Sequence, residues 1–468
     1  MKDYTLTFYI LLILVPCLHG LNQDSVTLDQ SVQMAMEQNS RIIAENLDRQ
    51  DAWRRLRLQL RLFLPSLQLG FSKTDSVTQG APDSRVRKLS LSMNQLLFNG
   101  GRDLAAYRSS ERNLQLRDLK AQDLIDSIAH EVTLQYVDVL KNSQILEIQR
   151  RSYENLLEQI RIAALEVELG VLRETDYLEI RISAVEYSLN IRDTEELLLK
   201  SRYALASLMS LPLEQLPPLM GHLNQDYRGD YATESGDLQN LIPDMKNKAQ
   251  EYNKDLMSLY LQEAHARRVL LDSRISWIPK IEGTADYSVS AMDFPLDEPS
   301  FSLGIIFTFQ TPLLPGSVSL QAGKSNPLEH NASAHSEVNI AENLEGLIDP
   351  ITARSSLYKT QLQREELRRS IAFQVGSLSQ SIQLNLQRLE INRDKISLES
   401  EKLIIEEARM KIGELTRLDY VKSEIRLSNH QTELIENIVA LYSLEKELEK
   451  ICGITSNRQG GSLIWYSE

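Results

Sequence analysis

The side chains that most often carry out catalysis or bind metal ions form no known motif in this sequence. The seven histidines are scattered, no HExxH or CxxC motif occurs, and no phosphate-binding glycine loop follows a strand. His330 and His335 share a Ser/Asn-rich segment and could bind a metal ion together, but two histidines in such a segment are more often solvated. We therefore predict no catalytic residue, no cofactor or metal site, and no enzymatic activity.

A turn-like octapeptide occurs twice and carries an acid at the same position each time. The segment from Gly170 to Tyr177 (GVLRETDY) matches, 243 residues later, the segment that begins at Gly413 (GELTRLDY). Glycine suits the left-handed residue of a turn between helices. Asp176 and Asp419, six residues after each glycine, then lie early in a helix, where a carboxylate interacts favourably with the helix dipole. A single turn of this kind is as often a solvated helical hairpin, but its duplication favours a functional role.

A second pair of matching segments indicates that the chain is duplicated. Leu64-Pro65-Ser66-Leu67 corresponds to Ile278-Pro279-Lys280-Ile281, 214 residues later. Two pairs of matching segments in the same order imply that the chain contains two copies of one structural unit. Since the octapeptides are further apart than the proline segments, we place an insertion from Ser317 to Asp349 and expect it to be poorly ordered.

The overall composition predicts an elongated and mostly helical protein. The chain has 468 residues, of which 42% are apolar, 25% charged and only 6% aromatic, so disorder and collagen are excluded. The net charge of −14 comes with interleaved acids and bases. Because no basic tract is present, nucleic acid is a disfavoured partner. The only cysteines are Cys17 and Cys452, so no disulfide framework is expected.

Two long stretches without proline, from Asp83 to Leu211 and from Ile351 to the C-terminus, predict very long helices. In the first, a seam with alternating steps of three and four residues has the period of a left-handed coiled coil. The polar seam residues Gln135, Asn142 and Gln149 either specify the register of the coiled coil or face a wet channel. The seam consists of Ile125, Ile128, Val132, Gln135, Val139, Asn142, Leu146, Gln149, Tyr153, Leu156, Ile160 and Ala163.

Four short segments between the helical stretches alternate apolar and polar residues with a period of two, which predicts β-strands. Each is compatible with a transmembrane strand of about 9–11 residues that has a lipid-facing and a wet side. A soluble hairpin shows the same alternation, but both hairpins lie between long helices. The segments are 67–71, 89–93, 281–289 and 301–309.

The N-terminus resembles an export signal. Lys2 precedes an apolar run from Phe8 to Val15, and Gly20 is a candidate cleavage position. The alternatives are a buried N-terminal helix and a lipoprotein acylated at Cys17.

We predict a signal peptide at 1–20, a first repeat at 21–213, a linker or equatorial segment at 214–240, a second repeat at 241–453 with the insertion at 317–349, and a C-terminal tail at 454–468.

The duplicated motifs, in their order, resemble the TolC-like family of outer-membrane efflux proteins from about Thr27 to Gly453. The matching features are Thr27-Leu28-Asp29-Gln30-Ser31 with Ala35 and Asn39, the Leu64-Pro65 entry to the first strand, and Gln95-Leu96-Leu97-Phe98-Asn99-Gly100-Gly101 after the second.

This resemblance implies a fold class that is mainly α with a transmembrane β-barrel. Each protomer is expected to have four strands and long coiled-coil helices in two tandem repeats. Since four strands cannot close a barrel, three protomers are expected to form a 12-stranded barrel above an α-helical periplasmic tunnel. The expected location is the outer membrane of a Gram-negative-type bacterium, with the helices and the insertion at 317–349 on the periplasmic side. The expected partners are two further copies of the chain, outer-membrane lipid, a periplasmic adaptor and an inner-membrane pump.

The resemblance also assigns roles to the duplicated turns. It implies a periplasmic gate formed by Asp176, Asp419 and Glu179. The surrounding tip is expected to dock the adaptor through Gly170, Val171, Leu172, Arg173, Gly413, Glu414, Leu415, Thr416 and Arg417.

The tip departs from the family pattern at three positions. A tyrosine and an arginine that hold the closed tip in the family archetype are replaced by Met410 and Leu415, and an expected carboxylate is replaced by Lys422. We therefore expect closure by other pairs, of Arg173 or Arg417 with Asp176, Glu179 or Glu414.

The predicted function is an exit duct of a tripartite efflux or type I secretion system. The alternative is a periplasmic coiled-coil scaffold or adaptor without a pore, which explains the helices equally well but leaves the strands unexplained.

Overall fold

The computed structural model describes residues 25–76, 84–231, 237–275, 278–311, 313–325, 329–340, 344–453 and 463–466. The predicted signal peptide and Cys17 lie outside these residues.

Eight α-helices make up most of the described chain. Short helices precede each hairpin, and very long helices follow the sheet. In chain order they are α1 (Leu28–Gln38), α2 (Ser40–Gln59), α3 (Arg102–Glu168), α4 (Glu174–Leu208), α5 (Asp237–Tyr252), α6 (Lys254–Arg274), α7 (Glu345–Lys411) and α8 (Arg417–Ile451).

The helix lengths confirm the internal duplication. The long helices α3 and α7 both contain 67 residues, and α4 and α8 both contain 35. At 1.5 Å per residue the 67-residue helices are about 100 Å long. Asn39 and Asn253 cap α2 and α6 by accepting a backbone hydrogen bond, because an Asn side chain satisfies one of the unpaired amides at a helix start.

The predicted seam of α3 is buried along much of the helix. Ile128, Val132 and Val139 belong to the main hydrophobic core, Leu146 is also buried, and Leu156 belongs to a separate small cluster. Burying such a side chain contributes about 1.5–3 kcal/mol. The period of 3.5 residues keeps the seam on one side of the helix.

Asn142 lies on the same seam and is also buried. Its amide donates hydrogen bonds to Ser201 Oγ at 3.3 Å and to the Leu197 carbonyl at 3.4 Å, both on α4. Of the two interpretations of this polar seam position, the contacts favour register specification.

Six antiparallel strands form one sheet in the order β1-β2-β4-β5-β6-β7. All four junctions between this sheet and the flanking helices lie at the same end of the sheet, because each hairpin starts and finishes there. The strands are β1 (Ser66–Ser76), β2 (Ser84–Phe98), β4 (Lys280–Ala291), β5 (Glu298–Phe309), β6 (Gly316–Ser325) and β7 (Glu329–Val338).

The four predicted strands are present, but the predicted count of four per protomer is too low. The segment from Ser317 to Asp349, which we expected to be a poorly ordered periplasmic insertion, instead supplies β6 and β7 and the start of α7. Ten residue pairs join β5 to β6 and ten join β6 to β7. Ser325 and Glu329, where β6 ends and β7 begins, therefore lie at the end of the sheet that is remote from the helices, not beside them.

A two-stranded sheet joins the middle of the chain to its end. Residues of the linker, β3 (His222–Leu223), pair antiparallel with the tail strand β8 (Ile464–Trp465). Tyr136 of α3 is fully buried beside this region, and its hydroxyl lies within hydrogen-bond distance of the carbonyl oxygens of Val26 and Met220. The linker and both ends of the described chain are thereby attached to the middle of the helical bundle.

Across the described ranges, none of the helices combines the length and the apolarity that a bilayer crossing needs.

Candidate channel wall, gate and docking tip

One face of the six-stranded sheet is apolar across every strand. A single row of paired residues crosses the sheet from Leu67 on β1 to Ala332 on β7. Its side chains are well exposed, with Leu67 at 68% and Leu303 at 54%. A patch of this extent on a protein surface marks contact with lipid or with another protein. The complete row is Leu67, Met93, Ala285, Leu303, Ala322 and Ala332.

The opposite face of the sheet is polar in the same continuous way. Hydroxyl and amide side chains link neighbouring strands, as in the hydrogen bond from Gln321 Nε2 to Ser302 Oγ at 2.7 Å. Such a face is stable only in contact with water or with other polar groups. One polar row consists of Ser66, Asn94, Thr284, Gly304, Gln321 and Ser333.

The two predicted tip turns have the same backbone structure. Gly170 ends α3 with φ +74° and Gly413 ends α7 with φ +79°, a region that only glycine enters without strain. The next residue in each turn, Val171 or Glu414, donates its amide hydrogen to the carbonyl five residues back. These hydrogen bonds define a Schellman motif.

Two of the three predicted gate acids lie in the first turn of the helix that follows each tip. Asp176 belongs to α4 and Asp419 to α8. Asp419 is partly held by the helix cap, because Thr416 Oγ1 accepts a hydrogen bond from the Asp419 amide at 3.2 Å and donates one to its carboxylate at 2.6 Å. The capping role and the proposed gate role therefore share one side chain.

An ion pair between the two repeats joins the tips. The Arg417 guanidinium donates from Nε and Nη2 to both carboxylate oxygens of Glu166, at 2.9 and 2.5 Å, and from Nη1 to Gln159. These hydrogen bonds hold the pKa of Glu166 below its usual range. Sequence reasoning missed Glu166 because it belongs to the other repeat and carries no turn signal of its own.

Within one protomer the tip contains two ion pairs that were not among those expected to close it. Arg417 contacts Glu166 rather than Asp176, Glu179 or Glu414. Glu179 accepts a hydrogen bond from Lys422 at 3.2 Å, the lysine that stands where a second carboxylate was expected. One predicted gate acid thus has a cation beside it in the same protomer.

A small hydrophobic cluster below the tip supports these polar contacts. It joins α3, α4 and α8 and is separate from the main core. Leu418 follows Arg417 directly and packs into this cluster, which aligns the arginine with α3. The buried members are Leu156, Ala163, Ile180, Ala184, Tyr187, Leu418 and Val421.

A buried carboxylic acid lies in the middle of the bundle, far from the tip in sequence. Glu445 of α8 is completely buried and accepts hydrogen bonds from the Tyr227 hydroxyl at 2.5 Å and from the Tyr231 amide at 3.3 Å. Burial raises the pKa of Glu445 to about 7. Arg393 of α7 donates to the carbonyls of Gln225 and Tyr227 at 3.0 and 2.8 Å. The linker is thus held between α7 and α8.

The histidines considered for metal binding are separated. His330 and His335 lie five residues apart on β7, so they point to opposite faces of the sheet. Within the described ranges, His, Cys, Asp and Glu residues form no cluster of three suited to a metal ion.

No family sequence model matches the chain, and no curated protein matches it. Solved structures match it over nearly its whole length. VceC, an outer membrane protein of Vibrio cholerae, superposes with a TM-score of 0.72 at 13% identity, over 91% of this chain and 96% of VceC.

Two outer membrane channels superpose equally well. CmeC of Campylobacter jejuni gives a TM-score of 0.71 at 13% identity, over 93% of this chain and 88% of CmeC. MtrE of Neisseria gonorrhoeae gives 0.71 at 13% identity, over 91% and 89% of the two chains. The chain therefore has the fold of these outer-membrane channel proteins. The mainly helical protomer fold expected from the TolC-like motifs is confirmed, apart from its strand count.

Proposed function

We propose that this protein is one protomer of a homotrimeric outer-membrane exit duct, which passes solutes or proteins from a tripartite efflux or type I secretion system to the exterior. The observation that carries the proposal is the sheet with one apolar and one polar face, joined at a single end to helices about 100 Å long. A lipid-facing wall continuing into a helical tunnel requires both parts in this order. The duct is a conduit and not an enzyme.

The location follows from the same architecture. The apolar rows lie against outer-membrane lipid, and the helices extend into the periplasm with the tips farthest from the membrane. The tips then meet a periplasmic adaptor and an inner-membrane pump. The rival function, a coiled-coil scaffold without a pore, leaves an exposed apolar sheet in water, which a soluble protein rarely tolerates.

Two exposed apolar stripes support association of the protomers. Both lie on helices near the tip and have coiled-coil spacing. Because they lie on different helices, they suit a head-to-tail ring, in which one surface of each copy meets another surface of the next. The stripes are Leu178, Ile182, Val185 and Leu189 on α4, and Ile391, Leu398 and Ile405 on α7, followed by Ile412 at its C-cap.

The internal repeat indicates how these stripes meet. Within one protomer α8 contacts α3 through Arg417 and Glu166. Each of these residues has an equivalent 243 residues away in the other repeat. Glu174 on α4 corresponds to Arg417, and Arg409 on α7 corresponds to Glu166, and both equivalents are exposed. The acid and the base have changed places, so this second pair of residues also has opposite charges. We therefore expect Glu174 to pair with Arg409 of the partner subunit in the same geometry.

Charge reversal tests this contact between protomers. Arg409→Glu places two acids opposite each other and is expected to lower the temperature at which the trimer dissociates, because like charges at an interface repel. The double variant R409E/E174R is expected to restore it. Trimer content in detergent is measured by native mass spectrometry during heating. Arg417→Glu is the matched control, because its partner Glu166 lies in the same protomer and E174R should not rescue it.

Bilayer recordings test the function itself. The purified trimer in a planar bilayer is expected to give stepwise ion currents, because the polar face of the sheet lines a water-filled lumen. Extraction from cells is expected to require detergent. A water-soluble protein that conducts no ions would eliminate the channel and leave the scaffold.

A further inference from the structure

The outer edges of the two end strands, β1 and β7, have no partner strand among the described residues. An open edge carries a row of unpaired backbone N–H and C=O groups. In the hydrocarbon core of a bilayer each unpaired group costs several kcal/mol, so membrane sheets close on themselves. Both edges must therefore be covered once the sheet is in the membrane.

The two edges are matched to each other. β1 has 11 residues and β7 has 10. The six strands alternate in direction, so β7 runs opposite to β1, and placing them side by side continues the antiparallel order. The row from Leu67 to Ala332 keeps the apolar residues of both edges on the same face. A second copy of the chain therefore fits each edge without reversing either face.

We propose that β7 of each protomer pairs with β1 of the next, so that three copies form an 18-stranded barrel instead of the 12-stranded one implied by the family resemblance. The number of copies rests on the proposed trimeric function. The strand count per copy rests on the six-stranded sheet alone.

The alternative is a 12-stranded barrel in which β1 of the next copy pairs with β5 and the β6–β7 hairpin lies outside the wall. The register opposes this arrangement, because β6 occupies that edge of β5 through ten residue pairs. Both faces also continue across the hairpin. Leu303 is followed by Ala322 and Ala332 on the apolar side, and Gly304 by Gln321 and Ser333 on the polar side.

The added strands widen the pore. Barrel diameter grows roughly linearly with strand number, so 18 strands give a barrel about 1.5 times as wide as 12 strands, in the range where an aqueous channel remains open. The small polar residues along the inner face, such as Ser66, Thr284 and Ser333, do not fill such a lumen. The barrel is then not the narrowest part of the duct.

Cysteine cross-linking distinguishes the two closures. Three single-cysteine positions on the polar face of β1 are combined with three on β7, and separately with three on β5, and membranes are oxidised. The buried Cys452 stays in place, and each single variant controls for background. The positions are Ser66, Gln68 and Ser72 on β1, Asn331, Ser333 and His335 on β7, and Ser300, Ser302 and Thr308 on β5.

We expect covalent dimers and trimers from β1–β7 combinations, and none from β1–β5 combinations. Cross-links between β1 and β5 would overturn the 18-stranded barrel, as would a trimer in which neither combination links. The trimer and its conductance are measured independently. A conducting trimer with β1–β5 links rejects only the strand number, whereas a non-conducting monomer rejects the proposed function.

Discussion

Replacing Glu445 by glutamine is expected to remove a pH dependence of about 2–3 kcal/mol between pH 5 and pH 8 from the docking of the linker onto α8. The pKa of Glu445 is about 7 in the folded protein, against an ordinary value near 4.3 for an exposed Glu. Between these values the open state releases a proton and the folded state keeps it. The contribution of Glu445 to the free energy of docking is therefore most favourable below about pH 4.3, falls as the pH rises, and is least favourable above about pH 7.

Hydrogen exchange of residues 222–231 measures this docking directly. The opening free energy of wild-type protein is expected to decrease from pH 5 to pH 8, and that of the Glu445→Gln variant to stay nearly level. Other titrating groups, such as His130, whose burial lowers its pKa to about 4, contribute equally to both proteins and cancel in the difference. Equal slopes in the two proteins would show that Glu445 is ionised in the folded state.

Glu445→Leu is the matched comparison. It also removes the titration, but it leaves the Tyr227 hydroxyl and the Tyr231 amide without their acceptor. An unsatisfied buried donor costs about 1–3 kcal/mol. This variant should therefore open more readily than the glutamine variant at every pH.

If the proposed channel is gated at the tips, the double variant D176N/D419N is expected to reduce its cation selectivity strongly and to weaken its block by multivalent cations. In the proposed trimer six carboxylates surround one axis at the tip, and such a ring attracts cations. Asparagine keeps an acceptor for Thr416, whereas alanine would also remove the cap contact of Asp419. Selectivity is measured as the reversal potential in a salt gradient.

Asp193→Asn is the control for this experiment. Asp193 is an exposed acid on the same helix as Asp176, about 25 Å further from the tip at 1.5 Å per residue. It should leave the reversal potential unchanged, and all variants should remain trimers. If the double variant conducts with wild-type selectivity, the two aspartates do not line the constriction and the gate lies elsewhere.

Periodicity predicted most of the fold because it reports on local geometry. The coiled-coil seam of α3 and the alternation in β1, β2, β4 and β5 each reflect one continuous segment meeting one environment. The hairpin of β6 and β7 escaped prediction because its strands are rich in Ser, Gly and Ala, and only Val318 and Leu320 are large apolar residues in β6. Its strand structure comes mainly from pairing with the existing edge of β5, which sequence pattern does not show.

The site was predictable to the same limited extent. Glycine at a turn and an acid six residues later are local signals, and both turns were located correctly. The partner of Arg417 was not, because Glu166 is 251 residues away and becomes its neighbour only when the two repeats pack together. The buried Glu445 gave no signal either, since an acid within a charged helix normally lies on its solvated side.

The unequal repeats have an evolutionary consequence. The first copy supplies two strands to the six-stranded sheet and the second supplies four, while their long helices have kept the same lengths. A whole hairpin adds an up-and-down pair, so the chain returns to the end of the sheet from which it left. A single added strand would place α7 at the opposite end of the sheet. The proposed duct can therefore change the width of its barrel by gaining or losing hairpins, while its helical tunnel and the adaptor-binding tip remain unaltered.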